Sequence, residues 1–242
     1  MGIKKVLITA GPTWVAIDKV RVISNIASGE TGILLADKLS EQGAKVTLIL
    51  GPGNCDYRNS KVKIVRFRFF EELRQALKRE LKASRYDFII HSAAVSDFAP
   101  QKLIKGKLKS GRPYILRLKA LPKISADIRR LAPESRLVLF KLESGLKDEK
   151  LISRAKAALI SAGADLIVAN SFGCGCGYWK PHHRPLAYRK PNYGLLANRI
   201  EPRYKAYILD AKRIYSRTGS KQEMVRNLIA VLGKGQKEGK NG

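Results

Sequence analysis

The chain has 242 residues, 45% of them apolar, and carries 47 Lys and Arg against 20 Asp and Glu for a formal net charge of +27. That length and apolar fraction suit one packed core and argue against a disordered chain. No apolar run approaches the roughly 20 residues that a membrane helix needs, and Gly11-Pro12 ends the basic-then-apolar start too early for a secretory signal, so we expect no membrane association and a cytoplasmic location.

Lys4 to Ala10 is a short apolar run stopped by Gly-Pro, as a buried strand would be. From Ser28 the period changes. Ile33, Ala36 and Leu39, with Leu35 beside them, share one face of a helix that Gly43 closes. Lys45 to Leu50 predicts a second strand, Val62 to Arg66 a third, Phe70 to Leu81 a charged helix and Tyr86 to Val95 a fourth strand. Arg136 to Leu142 reads as strand, Glu149 to Ala162 as helix and Asp165 to Ala169 as strand. Residues 173–203 break this rhythm with Gly, Pro, Tyr and two His, and are expected to form a long loop. Lys205 to Ala211 resumes as a strand and Ser220 to Leu232 as a terminal helix. Residues 233–242 hold no apolar side chain and are expected to be a disordered basic tail. Strands nearly continuous in Val, Ile and Leu, alternating with helices, imply an α/β fold. We expect a Rossmann-like open, mostly parallel sheet with helices on both faces, in a single domain over residues 1–232.

The three cysteines, Cys55, Cys174 and Cys176, make no disulfide framework. Cys174-Gly-Cys176 near His182 and His183 lacks the usual zinc spacing and no second cysteine pair follows, so no metal site is expected there.

Two interruptions, the acid-free basic stretch near 101–119 and the loop after Asn170, follow the carboxyl ends of predicted strands, outside which an open α/β sheet binds its ligands. Gly11-Pro12-Thr13 is not Gly-x-Gly-x-x-Gly, and no acid closes the second strand, which disfavours a nicotinamide-dependent dehydrogenase. Instead a long excursion carries Asp18, Arg21, Ser24 and Asn25 to a helix start where Ser28 is the expected N-cap. Gly29 and Gly32 remove side chains where a ligand or another backbone must come close, and free N–H groups there favour a phosphate. An ordinary capped helix behind a structured loop would account for the same residues. At the end of the fourth strand, His91-Ser92-Ala93-Ala94-Val95-Ser96-Asp97-Phe98 leaves room for a ligand against backbone. Asp97 could accept from a base or ribose or orient a metal-bound water, or be a plain surface carboxylate. Between Asp97 and Asp127 there is no acid, while Lys102, Lys105, Lys107, Lys109, Arg112, Arg117, Lys119 and Lys123 all fall there, as an anion-binding arm or as a solvated basic face.

Four of these stretches together resemble one family. "VLITAGPTWVAIDKVRVISNIASGETG" is similar to the strand, Ala-Gly-Pro/Gly-Thr, Ile-Asp, Val-Arg, Ile-Ser-Asn, Ser-Gly, Gly motif of the phosphopantothenate–cysteine ligases. "HSAAVSDF" resembles their Ala-Ala-Val-x-Asp-Tyr/Phe segment, "GKLKSG" their flexible lysine flap, and "DLIVAN" their late strand. The resemblance runs from Val6 to about Leu232.

It implies an enzyme of coenzyme A biosynthesis. The carboxylate of 4'-phosphopantothenate attacks the α-phosphate of a nucleoside triphosphate, CTP or ATP, with Mg2+, and the amine of L-cysteine then displaces the nucleotide. It implies catalytic roles for Asn25 and Lys107 and substrate contacts from Arg21, Asn25 and Ala94. It also implies nucleotide contacts from Gly11, Thr13, Ser28, Gly29, Ala93, Asp97, Lys107 and Phe140. A homodimer is implied, with the flap at about 101–119 contributing across its interface. Because the chain begins at the ligase's first strand, a stand-alone form without a decarboxylase half, and hence no flavin, is expected.

There are departures. Trp14-Val15-Ala16 and Lys19 replace residues usual in bacterial members, Ser110 ends the flap where a lysine is usual, and Ala158 and Ala162 align with two lysines of bacterial CTP users. They motivate a second reading, a catalytically degenerate member that binds nucleotide without turnover. The charge motivates a third, a nucleic-acid-binding protein on the same scaffold. Against it, no recognised RNA module appears and aromatics are only 7%, so no nucleic-acid partner is expected.

Overall fold

The structure is a computed structural model that describes residues 3–53, 57–172 and 204–238, with side chains described as far as residue 234. The expectations attached to Cys55, to the 173–203 loop with Cys174, Cys176, His182 and His183, and to residues 239–242 lie outside the described residues.

The first apolar run forms β1 (Lys5–Ala10), followed by α1 (Glu30–Glu41), β4 (Lys45–Leu50), β5 (Val62–Arg66), α2 (Phe70–Ala83) and β6 (Phe88–His91). Between β1 and α1 lies a hairpin of β2 (Trp14–Ala16) and β3 (Val22–Ser24). After β6 come β7 (Phe98–Pro100), β8 (Leu118–Ala120) and α3 (Ile124–Leu131). The chain continues through β9 (Arg136–Ser144), α4 (Asp148–Ser161), β10 (Leu166–Phe172), β11 (Tyr204–Leu209), β12 (Ile214–Thr218) and α5 (Lys221–Glu238). Eight strands make one sheet in the order β12-β11-β10-β9-β6-β1-β4-β5. From β5 to β10 the neighbours run parallel; β11 pairs antiparallel with both β10 and β12. The expected mostly parallel α/β sheet is therefore what forms.

Both faces of the sheet are covered, because a parallel sheet whose strands are apolar on both sides must bury both. Leu35, Ala36 and Leu39 of α1, with Met224, Leu228 and Leu232 of α5, pack on one face. On the other lie Leu73 and Leu77 of α2, Ile128 of α3, and Leu151, Ala155 and Leu159 of α4. The helical periodicity of Ile33, Leu35, Ala36 and Leu39 thus marks a real buried stripe: Leu35 and Leu39 are fully buried, each contributing about 2–3 kcal/mol.

The chain leaves β1 for α1 and β4 on one side, then returns through α2 to place β6 on β1's other side. The order of strands reverses there, so the crevice between the carboxyl ends of β1 and β6 is the switch point at which such sheets hold ligands.

Several boundaries differ from expectation, each for a physical reason. β6 ends at His91, although its apolar run continues to Val95. Gly11 takes a left-handed φ of 81°, and the regular ladder gives way to single bonds, from Ser92 N to Thr9 O and from Ala94 N to Gly11 O. The hairpin strands β2 and β3, like β7 and β8, are three residues each, too short to show a period of two. The expected disordered tail begins too early: α5 continues through Gly233 to Glu238. Lys234, Gln236, Lys237 and Glu238 are good helix formers that offset two glycines. Among the described residues, no helix is long and apolar enough to cross a membrane.

Two glycines separate steric from conformational demand. A Cβ on Gly32 would sit 2.4 Å from Ala10 Cβ and 3.0 Å from Ser92 Oγ, whereas Gly43, at φ 85°, has nothing within 4 Å. Gly32→Ala should therefore destabilise the protein by about 3 kcal/mol and Gly43→Ala by about 1 kcal/mol, read from urea midpoints. Equal losses would contradict the close packing of α1 on β1.

Candidate active site at the carboxyl edge

The excursion after β1 is stitched to the one after β6. Thr13 N donates to Ala94 O at 3.2 Å. Thr13 is fully buried, and its Oγ1 takes the Ser96 amide at 2.8 Å while donating to Ser96 Oγ at 3.0 Å. Trp14 N donates to Arg68 O at 2.8 Å, and the Trp14 ring meets Phe69 edge-on at 6.0 Å, fixing the root of the β2–β3 hairpin.

Asn25, expected to handle an acyl group, lies exposed beside the exit of β6. Its Nδ2 donates to both Ala94 O and Val95 O at 3.0 Å. Both amide hydrogens thus hold the Ala94–Val95 backbone, and the amide oxygen is the group left to offer.

Asp18 joins the hairpin to the basic arm. Its carboxylate is buried and accepts from Val20 N and Arg21 N at 2.8 Å, from Leu108 N at 2.9 Å, and from the Arg21 guanidinium. Arg21 also reaches Leu108 O at 3.4 Å. Two backbone bonds run alongside, from Ile104 N to Ile17 O and from Lys19 N to Gly106 O. The amide of Leu108, then those of Val20 and Arg21 with the Arg21 side chain, hold the Asp18 carboxyl far below the usual carboxylate range against its burial. Lys107 is thereby carried, exposed, to the side of Arg21. Spacing alone does not give Asp18 this role; the Asp-x-Val-Arg turn is its one trace in the sequence.

At the start of α1, Gly29 is the N-cap, with a left-handed φ of 78°. The expected cap Ser28 stands one residue earlier, its Oγ accepting from Glu30 N at a long 3.4 Å; only a glycine tolerates the left-handed cap position without strain. A Cβ on Gly29 would lie 3.1 Å from Gly11 N, and one on Gly11 3.1 Å from the Gly51 backbone. Backbone meets backbone here, which accounts for glycine at both positions. Gly32 is likewise closed by Ala10 and Ser92.

Ala93 and Ala94, half-buried, line the chain between Gly11 and Asn25, with Ala93 N donating to Thr9 Oγ1 at 3.3 Å. Thr9 Oγ1 also lies 2.7 Å from His91 Nδ1, and burial pushes His91 down to about 4, so this ring is neutral near pH 7. Asp97 is exposed and paired with Lys123, its backbone oxygen accepting from Leu121 N. Phe140 sits on β9 one residue beyond Leu139, the partner of His91, and packs half-buried toward the α1 and α5 face. Gly11, Thr13, Asn25 and Ala94 are thus linked directly at the exits of β1 and β6, with Ala93 tied to Thr9 beside them, while Arg21 and the segment carrying Lys107 are joined to each other through Asp18 and Leu108. Phe140 flanks these exits on the next strand, and Asp97 lies with Lys123 on the β7–β8 side. Among the described residues no group of three or more His, Cys, Asp or Glu could cage a metal ion.

Asp18 keeps its charge at any pH above the ordinary carboxylate range, so its link should weaken only on acidification below about pH 4. Asp18→Asn should raise hydrogen exchange at Lys19, Ile104 and Leu108 at least tenfold at neutral pH and leave the β1 and β6 amides unchanged. Unaltered exchange at Leu108 would contradict the anchoring role.

Residues 1–182 match the family described as the DNA/pantothenate metabolism flavoprotein C-terminal domain. The coenzyme A biosynthesis bifunctional protein CoaBC of Thermococcus kodakarensis is 40% identical over 169 residues, covering 69% of this chain and 41% of that protein. The protein of the same name from Methanocaldococcus jannaschii is 38% identical over 169 residues, covering 69% and 40%. The chain thus spans about two fifths of the length of these curated relatives. Among solved structures, the DNA/pantothenate metabolism flavoprotein from Streptococcus pneumoniae shares the fold with a TM-score of 0.74 at 23% identity, covering 96% of this chain and 98% of that one. A Cab2 mutant in complex with phosphopantothenate-cysteine does so with a TM-score of 0.71 at 17% identity, covering 98% and 89%. With the family match extending from the first strand through β10, the chain belongs to the family of the DNA/pantothenate metabolism flavoprotein C-terminal domain.

Proposed function

We propose that this chain joins 4'-phosphopantothenate and L-cysteine to 4'-phosphopantothenoyl-L-cysteine, in coenzyme A biosynthesis, through an acyl-nucleotide. The observation that supports the reading is the anchoring of Asn25 on the Ala94–Val95 backbone at the exit of β6, beside a hairpin whose Asp18–Arg21 clamp holds the segment that carries Lys107. Family membership and the CoaBC relatives support it.

In the first step a carboxylate oxygen of phosphopantothenate bonds to the α-phosphorus of CTP or ATP, and the bond to pyrophosphate breaks. In the second the cysteine amine bonds to the acyl carbon, loses a proton, and the nucleoside monophosphate leaves with one former carboxylate oxygen. Neither step changes an oxidation state, so the reaction itself calls for no flavin.

Both steps bring polyanions together, and positive charge must offset their repulsion. Lys107 would approach the triphosphate as the arm moves on the Asp18 clamp, while Arg21 extends the same positive face toward phosphopantothenate. Asn25 would exchange one carbonyl partner for the acyl oxygen, holding the reacting centre without adding charge. Gly11, Ser28 and Gly29 would bring backbone close to the phosphates near the α1 start, Thr13 fixes the loop after β1, and Ala93, Asp97 and Phe140 would flank the nucleoside. Mg2+ fits as an ion carried on the triphosphate oxygens, since such ions take few protein ligands beside phosphate; Asp97 could join it on leaving Lys123. Its chemistry would be to neutralise phosphate charge.

The hairpin and the β7–β8 side also expose apolar groups, Val20 at 64%, Phe98 at 54% and Leu118 at 45%. A second copy of this chain would cover them, giving a homodimer in which the arm approaches the partner's crevice.

Pyrophosphate release should require phosphopantothenate, Mg2+ and either CTP or ATP, and a comparison of the two nucleotides sets the preference. Asn25→Asp, which turns a carboxylate onto two carbonyl oxygens, should lower amide formation at least ~100-fold. Nucleotide binding without any turnover would instead favour the degenerate-member reading, and an unimpaired Asn25→Asp would remove Asn25 from the mechanism. Leu118→Glu should shift the sedimenting species from dimer to monomer; a monomeric wild type contradicts the homodimer.

A further inference from the structure

A second cationic concavity lies at the opposite edge of the sheet and is independent of the reading above. Arg136 begins β9, and the turn after β11 returns to that same amino edge, where Leu209 pairs with Ile167 near the start of β10. There Arg136, Arg213 and Lys234, with Tyr215, Ser216 and Asn227, line a cleft of about 520 Å3. Three cations converge from a strand start, a turn and the last turns of α5. Among the described lining residues there is no carboxylate.

The guanidiniums are held in place. Arg136 lies over the Phe88 ring at 5.6 Å and Arg213 over the Tyr215 ring at 4.5 Å, which orders them before any ligand arrives. Asn227 Nδ2 donates to Ser216 Oγ at 2.8 Å, fixing the neutral donors of the opposite wall. Of the acids nearby, Asp210 feels the charge of Arg213 and offsets part of it, and the carboxylates of Asp210 and Asp87 also hold other groups. Asp210 accepts from Lys212 N, Arg213 N and Tyr215 OH, and Asp87 accepts from Lys5 N through its side chain and from Arg136 N through its backbone. The carboxyl end of α5 opposes an anion with about half an elementary charge and Asp210 offsets part of the charge of Arg213, which leaves Arg136, Lys234 and the remainder of Arg213 to attract one.

We propose that this cleft binds a small phosphate-bearing molecule. Its volume falls in the range of small-molecule sites, and paired guanidiniums match the bidentate acceptor geometry of phosphate. A nucleic-acid strand calls for a track of cations with open rings for stacking. Here the Tyr215 ring is already covered by Arg213 and its hydroxyl is held by Asp210.

The test titrates the 15N-labelled full chain with inorganic pyrophosphate and inorganic phosphate, with sodium chloride at matched ionic strength as control. Saturable shifts are expected at the Ser216 amide and at the backbone and side-chain amides of Asn227, with pyrophosphate and not with chloride. Arg136→Gln combined with Arg213→Gln should weaken this binding at least tenfold. Lys234→Gln, which leaves both ring contacts intact, should weaken it severalfold, and Lys105→Gln should not change it. Three outcomes would overturn the proposal: shifts that chloride reproduces, shifts that survive the double variant, or tighter, steeply salt-dependent binding of a single-stranded oligonucleotide across the same residues.

Discussion

Backbone polar groups that leave the carboxyl edge of a buried sheet must find partners, and here the two loops that leave it satisfy one another. The loop after β1 gives Thr13 N to Ala94 O and takes Ala94 N at Gly11 O, while Asn25 adds two side-chain bonds to the same strand exit. Further out, the buried Asp18 carboxylate serves three backbone amides and one guanidinium from two different loops. A chain with nearly 50 basic residues could not hold a lysine-rich arm against a positive body by charge alone. It uses one desolvated anion and directed hydrogen bonds, leaving the lysine charges for whatever binds.

The glycines at the α1 entrance serve the same end by a steric route. Gly11, Gly29 and Gly51 let three segments approach backbone to backbone, and Gly32 lets α1 lie against Ala10 and Ser92. The helix start is thereby fixed on the β1 exit, with its first N–H groups at the switch point. Two observations leave polar capacity over on the neighbouring strands: Asn170 Oδ1 and Thr218 Oγ1 are buried without a hydrogen-bond partner. They fall in one row through Ala206, which pairs with both residues.

Legibility tracked the strength of the period. Lys45–Leu50 and Val62–Arg66 are read from sequence with the bounds the structure gives them, because Gly, Pro and polar residues close each run. The hairpin of β2 and β3 and the pair of β7 and β8 escape, since three residues carry no period and their partners are chosen by tertiary contact. Ser28 is displaced as cap because a left-handed residue was needed there, which hydroxyl chemistry does not announce. Of the site, Asn25, Ala94 and Lys107 stand out through their family-like motifs. The clamp role of Asp18 and the burial of the Thr13 hydroxyl do not, because both depend on residues more than 80 positions away. The cleft of Arg136, Arg213 and Lys234 is equally hidden, its cations being scattered along the chain.

The central claim is that the crevice between β1 and β6 couples two anions through a mixed anhydride. It is tested most directly by supplying phosphopantothenate labelled with 18O in its carboxylate, with cysteine and a nucleoside triphosphate. Nucleoside monophosphate carrying one 18O for each amide formed is the expected result. Monophosphate without the label, or amide formed with no monophosphate released, would contradict it.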